Sequence, residues 1–182
     1  MWKKLSLGAF ALLLALLANT HLYCRVSVNG ETVEGRFSPW QHDGGLLAAA
    51  SAAEEILPGQ TVLPKLSTRL GLSLRPPEGS AAQLSDAVLR ETAGVELLDG
   101  VFVNSVPLGC VEDGDVLKAE LRAYLTITMP NSAVSGTYSE ELGLRHVYTR
   151  AGAAVSYDDM VQLVSGMAPV VFTDADGRRI MG

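Results

Sequence analysis

Val26-Ser27-Val28-Asn29-Gly30-Glu31-Thr32-Val33-Glu34-Gly35 alternates apolar and polar residues, turns at Asn-Gly, resumes with an apolar residue and stops at glycine. Val101-Phe102-Val103-Asn104-Ser105-Val106-Pro107-Leu108-Gly109 has the same plan with Asn-Ser at the turn. Asn-Gly tolerates the positive φ angles of tight turns whose twist matches that of paired strands, so each stretch predicts a small β-hairpin. The segment after each hairpin repeats as well: a helical run, a Leu-Gly-Leu strand and a second helix. Leu70-Gly71-Leu72 answers to Leu142-Gly143-Leu144, and Leu84-Ser85-Asp86-Ala87-Val88 to Tyr157-Asp158-Asp159-Met160-Val161. Four elements in one order, at nearly one offset, predict the internal duplication of an α+β module of roughly seventy residues.

The fold class is therefore α+β: two tandem duplicated modules, each a β-hairpin, helix, strand and helix, after an N-terminal hydrophobic helix. The corresponding segments are 1–24 (membrane anchor or signal), 25–98 and 99–182. Each module is expected to pack its helices on a small antiparallel sheet made of the hairpin and the next strand. In the first, Phe37 to Gly45 is rich in turn formers and predicts a loop. Leu46 to Leu57 is Ala-rich and ends at Pro58-Gly59, which predicts a helix. Thr61 to Leu74 reads as extended, and Leu84 to Thr92 as a helix closed by Gly94. In the second, Asp115 suits the N-cap of a helix from Val116 to Leu125. Pro130-Asn131-Ser132 breaks the chain, and Thr137 to Arg150 is extended. Ser156 caps a helix from Tyr157 to about Val164 that has Asp158-Asp159 in its first turn. Val170-Val171-Phe172 forms a last strand before Asp174-Ala175-Asp176-Gly177. That closing segment matches Glu96-Leu97-Leu98-Asp99-Gly100, so a third hairpin is expected where the sequence stops.

The 182 residues are 48% hydrophobic but only 6% aromatic, so the cores must rest on Leu, Val and Ala. A net charge of −6 argues against nucleic acid, whose recognition needs a basic footprint. Lys3-Lys4 precedes an almost unbroken apolar run from Leu5 to Ala18. A short positive region leading into a hydrophobic one is the arrangement of an export signal. As a helix the run reaches about 21 Å, short of the roughly 30 Å hydrocarbon core, and extension through His21, Leu22 and Tyr23 nearly spans it. Ala18-Asn19-Thr20 is a poor cleavage site, which favours an uncleaved anchor over a cleaved, secreted form. The rest of the chain is then expected outside the cytoplasmic membrane.

Chemistry is thinly signalled. His21, His42 and His146 share no metal-ligand spacing with each other or with a cysteine. Asp113-Gly114-Asp115 and Asp174 to Gly177 lack the alternating ligands and downstream Glu of a calcium loop, and turn or capping roles explain them. No serine has a nucleophile-elbow context. Cys24 and Cys110 are able to pair in an oxidising compartment, but Cys24 beside the anchor is more simply free or packed. Glu54-Glu55 and Glu140-Glu141 read as solvated faces. No catalytic, cofactor or metal residue emerges. The candidate site is an aromatic platform of Phe37 and Trp40 for a polymer, with the loop's own packing as the simpler alternative.

The Val-x-Val-Asn-Gly-x-x-Val hairpin, Ser51-Ala52-Ala53-Glu54-Glu55-Ile56-Leu57, Gln83-Leu84-Ser85-Asp86-Ala87-Val88-Leu89 and the second Val-x-Val-Asn hairpin ending at Leu108-Gly109 resemble the amino-terminal region of lysostaphin-type cell-wall metallopeptidases of Firmicutes. The resemblance implies anchored or secreted, non-catalytic modules, commonly succeeded by LysM or stalk segments and a zinc peptidase. The His-x-x-x-Asp and His-x-His motifs of that peptidase are missing, so no catalytic residue carries over. The expected function is a non-enzymatic extracytoplasmic cell-envelope module, a spacer or protein-interaction domain near peptidoglycan. Its expected partners are the membrane, through the N-terminal helix, and an envelope protein. Direct binding of peptidoglycan or another wall polymer is one alternative; a truncated or regulatory relic of a peptidase is the other.

Overall fold

The computed structural model describes residues 18–181. The architecture is mixed α and β, with nine strands in three small sheets and four helices among the described residues. The chain divides into two compact units between Val95 and Glu96. The first contains β1 (His21–Val28), β2 (Glu31–Thr32), α1 (Pro39–Ile56), β3 (Leu66–Ser73) and α2 (Ala81–Arg90). The second contains β4 (Val95–Val103, which begins at the division), β5 (Val106–Val111), α3 (Gly114–Thr128), β6 (Ala133–Tyr138), β7 (Leu142–Arg150), α4 (Tyr157–Met167), β8 (Val170–Asp174) and β9 (Arg179–Met181).

Both hairpins form where the Asn turns lie. Asn29 and Gly30 have φ of 51° and 93°, and Asn104 and Ser105 have 47° and 68°. Positive φ at both central residues gives the turn whose twist matches the strands. The two sheets built on these hairpins have the orders β2-β1-β3 and β5-β4-β7, so in each the hairpin's first strand lies in the middle. Each turn asparagine also clasps the residue before the third strand. Asn29 donates its backbone N–H to Lys65 O (2.9 Å), while Asn29 Oδ1 accepts from Lys65 N (3.1 Å). Asn104 does the same with Glu141, at 3.0 and 3.3 Å.

In the first unit α1 packs on α2 and β1. Cys24, Val26 and Val28 of β1 are buried, as are Phe37, Ala49, Ala53, Leu57, Leu84, Val88 and Leu89. Gly45, Ala49 and Ala53 form the buried stripe of α1, one residue per turn. Their small size lets the helices approach closely: a Cβ on Gly45 would lie 2.8 Å from the Ala81 carbonyl oxygen and 2.9 Å from Leu84 Cβ. In the second unit Val101, Val111, Leu117, Leu121, Met160, Val161 and Val164 form one cluster, with Leu142 and Leu144 packed against it.

Several expectations require correction. Phe37 to Gly45 is not a loop, because α1 already starts at Pro39. Ser38 accepts from Gln41 N, Gln41 Oε1 accepts from Ser38 N, and Pro39 opens the helix; this reciprocal cap with an early proline outweighs the turn-forming composition just beyond it. α3 is capped by Asp113, whose side chain accepts from Asp115 N and Val116 N, so Asp115 lies inside the helix. The extended stretch 137–150 is two strands in different sheets: β7 joins β4, while β6 pairs with β8. Asp174 to Gly177 does not lead into a further hairpin like the first two but is itself the turn of one, between β8 and β9. β1 begins at His21, so His21 to Cys24 belong to the first sheet and not to an anchor ending at 24. β4 is continuous from Val95, and a boundary at 98/99 would cut it. The anchor's apolar residues up to 17 fall outside the described residues, and no helix among the described residues is long and apolar enough to cross a membrane.

Candidate functional site

The aromatic pair is separated by the fold. Phe37 is 0% exposed. It pairs with Cys24 through two backbone hydrogen bonds of 2.7 and 2.9 Å, and its ring occupies the space that a side chain at Gly79 would take. It offers no surface to a polymer, because the turn before α1 folds it into the core. Trp40 stands 88% exposed in the first turn of α1, so the candidate platform reduces to one ring.

A larger feature escaped the residue-by-residue reading. β3 is an edge strand of the first sheet, and its register sets Leu22 opposite Leu72 and Cys24 opposite Leu70. Directly opposed residues share a face. This is the face on which Cys24, Val26 and Val28 are buried, and where His42 Nε2 of α1 lies 3.0 Å from Thr68 Oγ1. At β3 the helical cover ends: Leu70 and Leu72 are each 70% exposed, and Leu22 is 46% exposed. Alternation along 61–74 shows which residues share a side; it carries no information on whether a helix reaches them. On the opposite face the Tyr23 ring lies across Gly71, and the Arg36 guanidinium sits 5.5 Å from that ring and donates to Ser73 Oγ at 2.7 Å.

The polar features of the second unit are built differently. Asp99, mostly buried, accepts from Gly114 N at 2.7 Å and pairs with His146 Nδ1 at 2.8 Å. Arg145 stacks over Phe102, 4.0 Å from the ring centroid. An Asp–His pair orients an imidazole for proton transfer, but among the described residues no hydroxyl or thiol is hydrogen-bonded to its other nitrogen. His42, in α1 and not in a loop, is held by Asp43 (2.7 Å) and Thr68. Burial pushes both thiols up: Cys24 by desolvation and then by the Asp43 carboxylate, Cys110 by desolvation. A reactive thiolate needs the opposite shift. Both cysteines are free.

The carboxylates mostly serve the backbone. Asp113 caps α3, and Asp174 Oδ1 accepts from Asp176 N and Arg178 N in its turn. Glu54 is more than a solvated face: it accepts from Gly59 N (2.8 Å) and Thr61 Oγ1 (2.9 Å), which lowers its pKa. Glu140 accepts from the Asn104 side chain. Among the described residues no three His, Cys, Asp or Glu side chains gather to hold a metal. Clefts within the units hold about 200 to 310 Å³, at or below the lower end of small-molecule sites. No protein-family model, no curated protein and no solved structure matches the chain.

Proposed function

We propose that this chain is a non-enzymatic, extracytoplasmic cell-envelope protein, a membrane-tethered spacer or protein-interaction domain near peptidoglycan, built by duplication of one α+β module. The observation that carries the duplication is the repeated asparagine clasp, with Asn29 on Lys65 and Asn104 on Glu141, in sheets of the same strand order. Two sequences meeting by chance have no reason to reproduce a side-chain bond at the same point of the same topology. The tether rests on Lys3-Lys4 and the apolar run from Leu5 to Ala18, and the compartment on the resemblance to the amino-terminal modules of cell-wall peptidases. Polar groups occupied in caps and turns, together with protonated thiols, suit a scaffold better than a catalyst. The test is fractionation of cells producing the full chain, then protease treatment of spheroplasts. Recovery in the membrane fraction with digestion from outside is expected; a protected or freely soluble chain refutes the tethered, extracytoplasmic reading.

Direct binding of a wall polymer is the second reading, favoured by the exposed ring of Trp40. Salt-resistant, saturable sedimentation with peptidoglycan sacculi, reduced by Trp40→Ala, would establish it. Sedimentation no greater than that of an unrelated acidic protein removes it.

A further inference from the structure

The uncovered leucine face lies at the end of the first sheet that the apolar run enters. In sequence that run stops at Ala18, and β1 begins at His21, which pairs with Ser73 at the end of β3. Leu22 and Leu72, the next pair on the core-side face, stand beside this entry, and Leu74, 62% exposed, comes just after β3. A sheet face turned to water ordinarily carries polar residues. Here four exposed leucines gather where a tether would leave the bilayer.

Cations gather along the same two strands. Of the cations Arg25, Arg36, Lys65, Arg69, Arg75 and Arg90 between residues 18 and 95, Arg36 and Arg75 lie at the Ser73 end of the sheet, while Arg25 and Arg69 sit at mid-strand on the face opposite the leucines. Arg36 and the backbone N–H of Arg75 both bond Ser73 Oγ. Arg25 and Arg69 face each other directly across the two strands, an arrangement that like charges disfavour in water. Among the described residues neither they nor Arg75 have an ion-pair partner. The acids Glu31, Glu34 and Glu91 line a cleft beside the hairpin turn, at the opposite end of the sheet. The two acids nearer the basic end are engaged, Asp43 by His42 and Glu78 by Arg36 at 3.6 Å.

We infer that this end of the first unit docks on an anionic lipid surface. Leu22, Leu70, Leu72 and Leu74 enter the boundary between headgroups and acyl chains; Arg75, just past β3, and Arg69, from the opposite face of this edge strand, reach lipid phosphates around its free edge. The inference rests on the tethering reading above. It adds an orientation, with the acidic hairpin turn pointing away from the bilayer.

The test uses the full chain with Trp2→Phe and Trp40→Phe, and a reporter at Leu72→Trp or, as a control, Glu31→Trp. Each protein is reconstituted with phosphatidylcholine vesicles that contain or lack phosphatidylglycerol. Flotation reads the tether, and quenching by lipids brominated on their acyl chains reads the docked face. The expected result is flotation of both proteins, with lipid quenching of the tryptophan at 72 alone and only when phosphatidylglycerol is present. Arg69→Glu and Arg75→Glu should each lower the docked-to-undocked ratio about five-fold or more at moderate salt. Flotation with the tryptophan at 72 open to iodide in both vesicles overturns the docking and leaves the tether standing. Failure to float overturns the tether and the docking with it. Shielding of position 72 that rises with protein concentration without lipid assigns the face to a second copy and overturns the lipid assignment.

Discussion

Adjacent glycines in α1 should respond oppositely to the same substitution. In a helix interior, Gly→Ala ordinarily stabilises by about 1 kcal/mol, because alanine loses less backbone entropy. Gly44 has room for that gain: a Cβ there would meet only Ala81 Cβ, at 3.8 Å. Gly45 does not, since its Cβ would lie 2.8 Å from the Ala81 carbonyl oxygen, 2.9 Å from Leu84 Cβ and 3.2 Å from Leu84 Cδ2. The first two are backbone and near-backbone atoms that no rotamer change removes, so α2 must shift as a body. Overpacking of this kind costs about 1–3 kcal/mol, against which the propensity gain of about 1 leaves a net loss of up to about 2 kcal/mol. The two variants should thus differ by about 1–3 kcal/mol. The assay is urea denaturation combined with native-state hydrogen exchange at the amides of Ala49 and Leu84, which isolates the first unit because the two units need not melt together. Equal stabilisation by Gly44→Ala and Gly45→Ala would refute the claim that the Gly45, Ala49 and Ala53 stripe sets the spacing of the helices.

Ser38→Ala removes the reciprocal cap of α1 and should destabilise the first unit by about 1 kcal/mol, seen as faster exchange of the Gln41 amide. Ser105→Gly relieves a positive φ of 68° at a residue with a Cβ; relief of about 1–2 kcal/mol against an entropic cost of about 0.5–1 predicts a net gain of about 0.5–1 kcal/mol in the melting of the second unit. Glu54 has its folded pKa lowered by bonds from Gly59 and Thr61, so its contribution is present above the unfolded pKa and is lost as pH falls through the lower folded value. Protection of the Gly59 amide relative to its intrinsic exchange rate, monitored by NMR, should fall over that acidic window in the native chain and show no such step in Glu54→Gln. Thiol titration should modify the partly exposed Cys110 well before Cys24, which is 3% exposed; simultaneous labelling in the native state would contradict the buried place of Cys24 on β1.

The local code of this chain was legible wherever one residue type dictates a backbone geometry. Asn29-Gly30 and Asn104-Ser105 predict turns, Ser156 predicts a cap, and Leu70-Gly71-Leu72 predicts a strand, since each depends on neighbours within a few residues. The early start of α1 was equally local, written in Ser38, Pro39 and Gln41, and was obscured by the turn-forming composition of the next few residues. Partnering of β6 with β8 was not legible, because backbone hydrogen bonds of an edge strand are satisfied by whichever strand the fold brings alongside. Nor was the fate of Phe37 and Trp40, neighbours in sequence whose exposures are opposite.

The clearest division lies in one motif used twice. By itself the sequence determined that Leu70 and Leu72 share a face, and that Leu142 and Leu144 do likewise, because strand side chains alternate with a period of two residues. Only the tertiary structure decided that the second pair packs against the cluster around Leu117 and Leu121 while the first pair stays open to solvent. Periodicity is a property of the backbone, whereas cover depends on where a helix many residues away comes to rest.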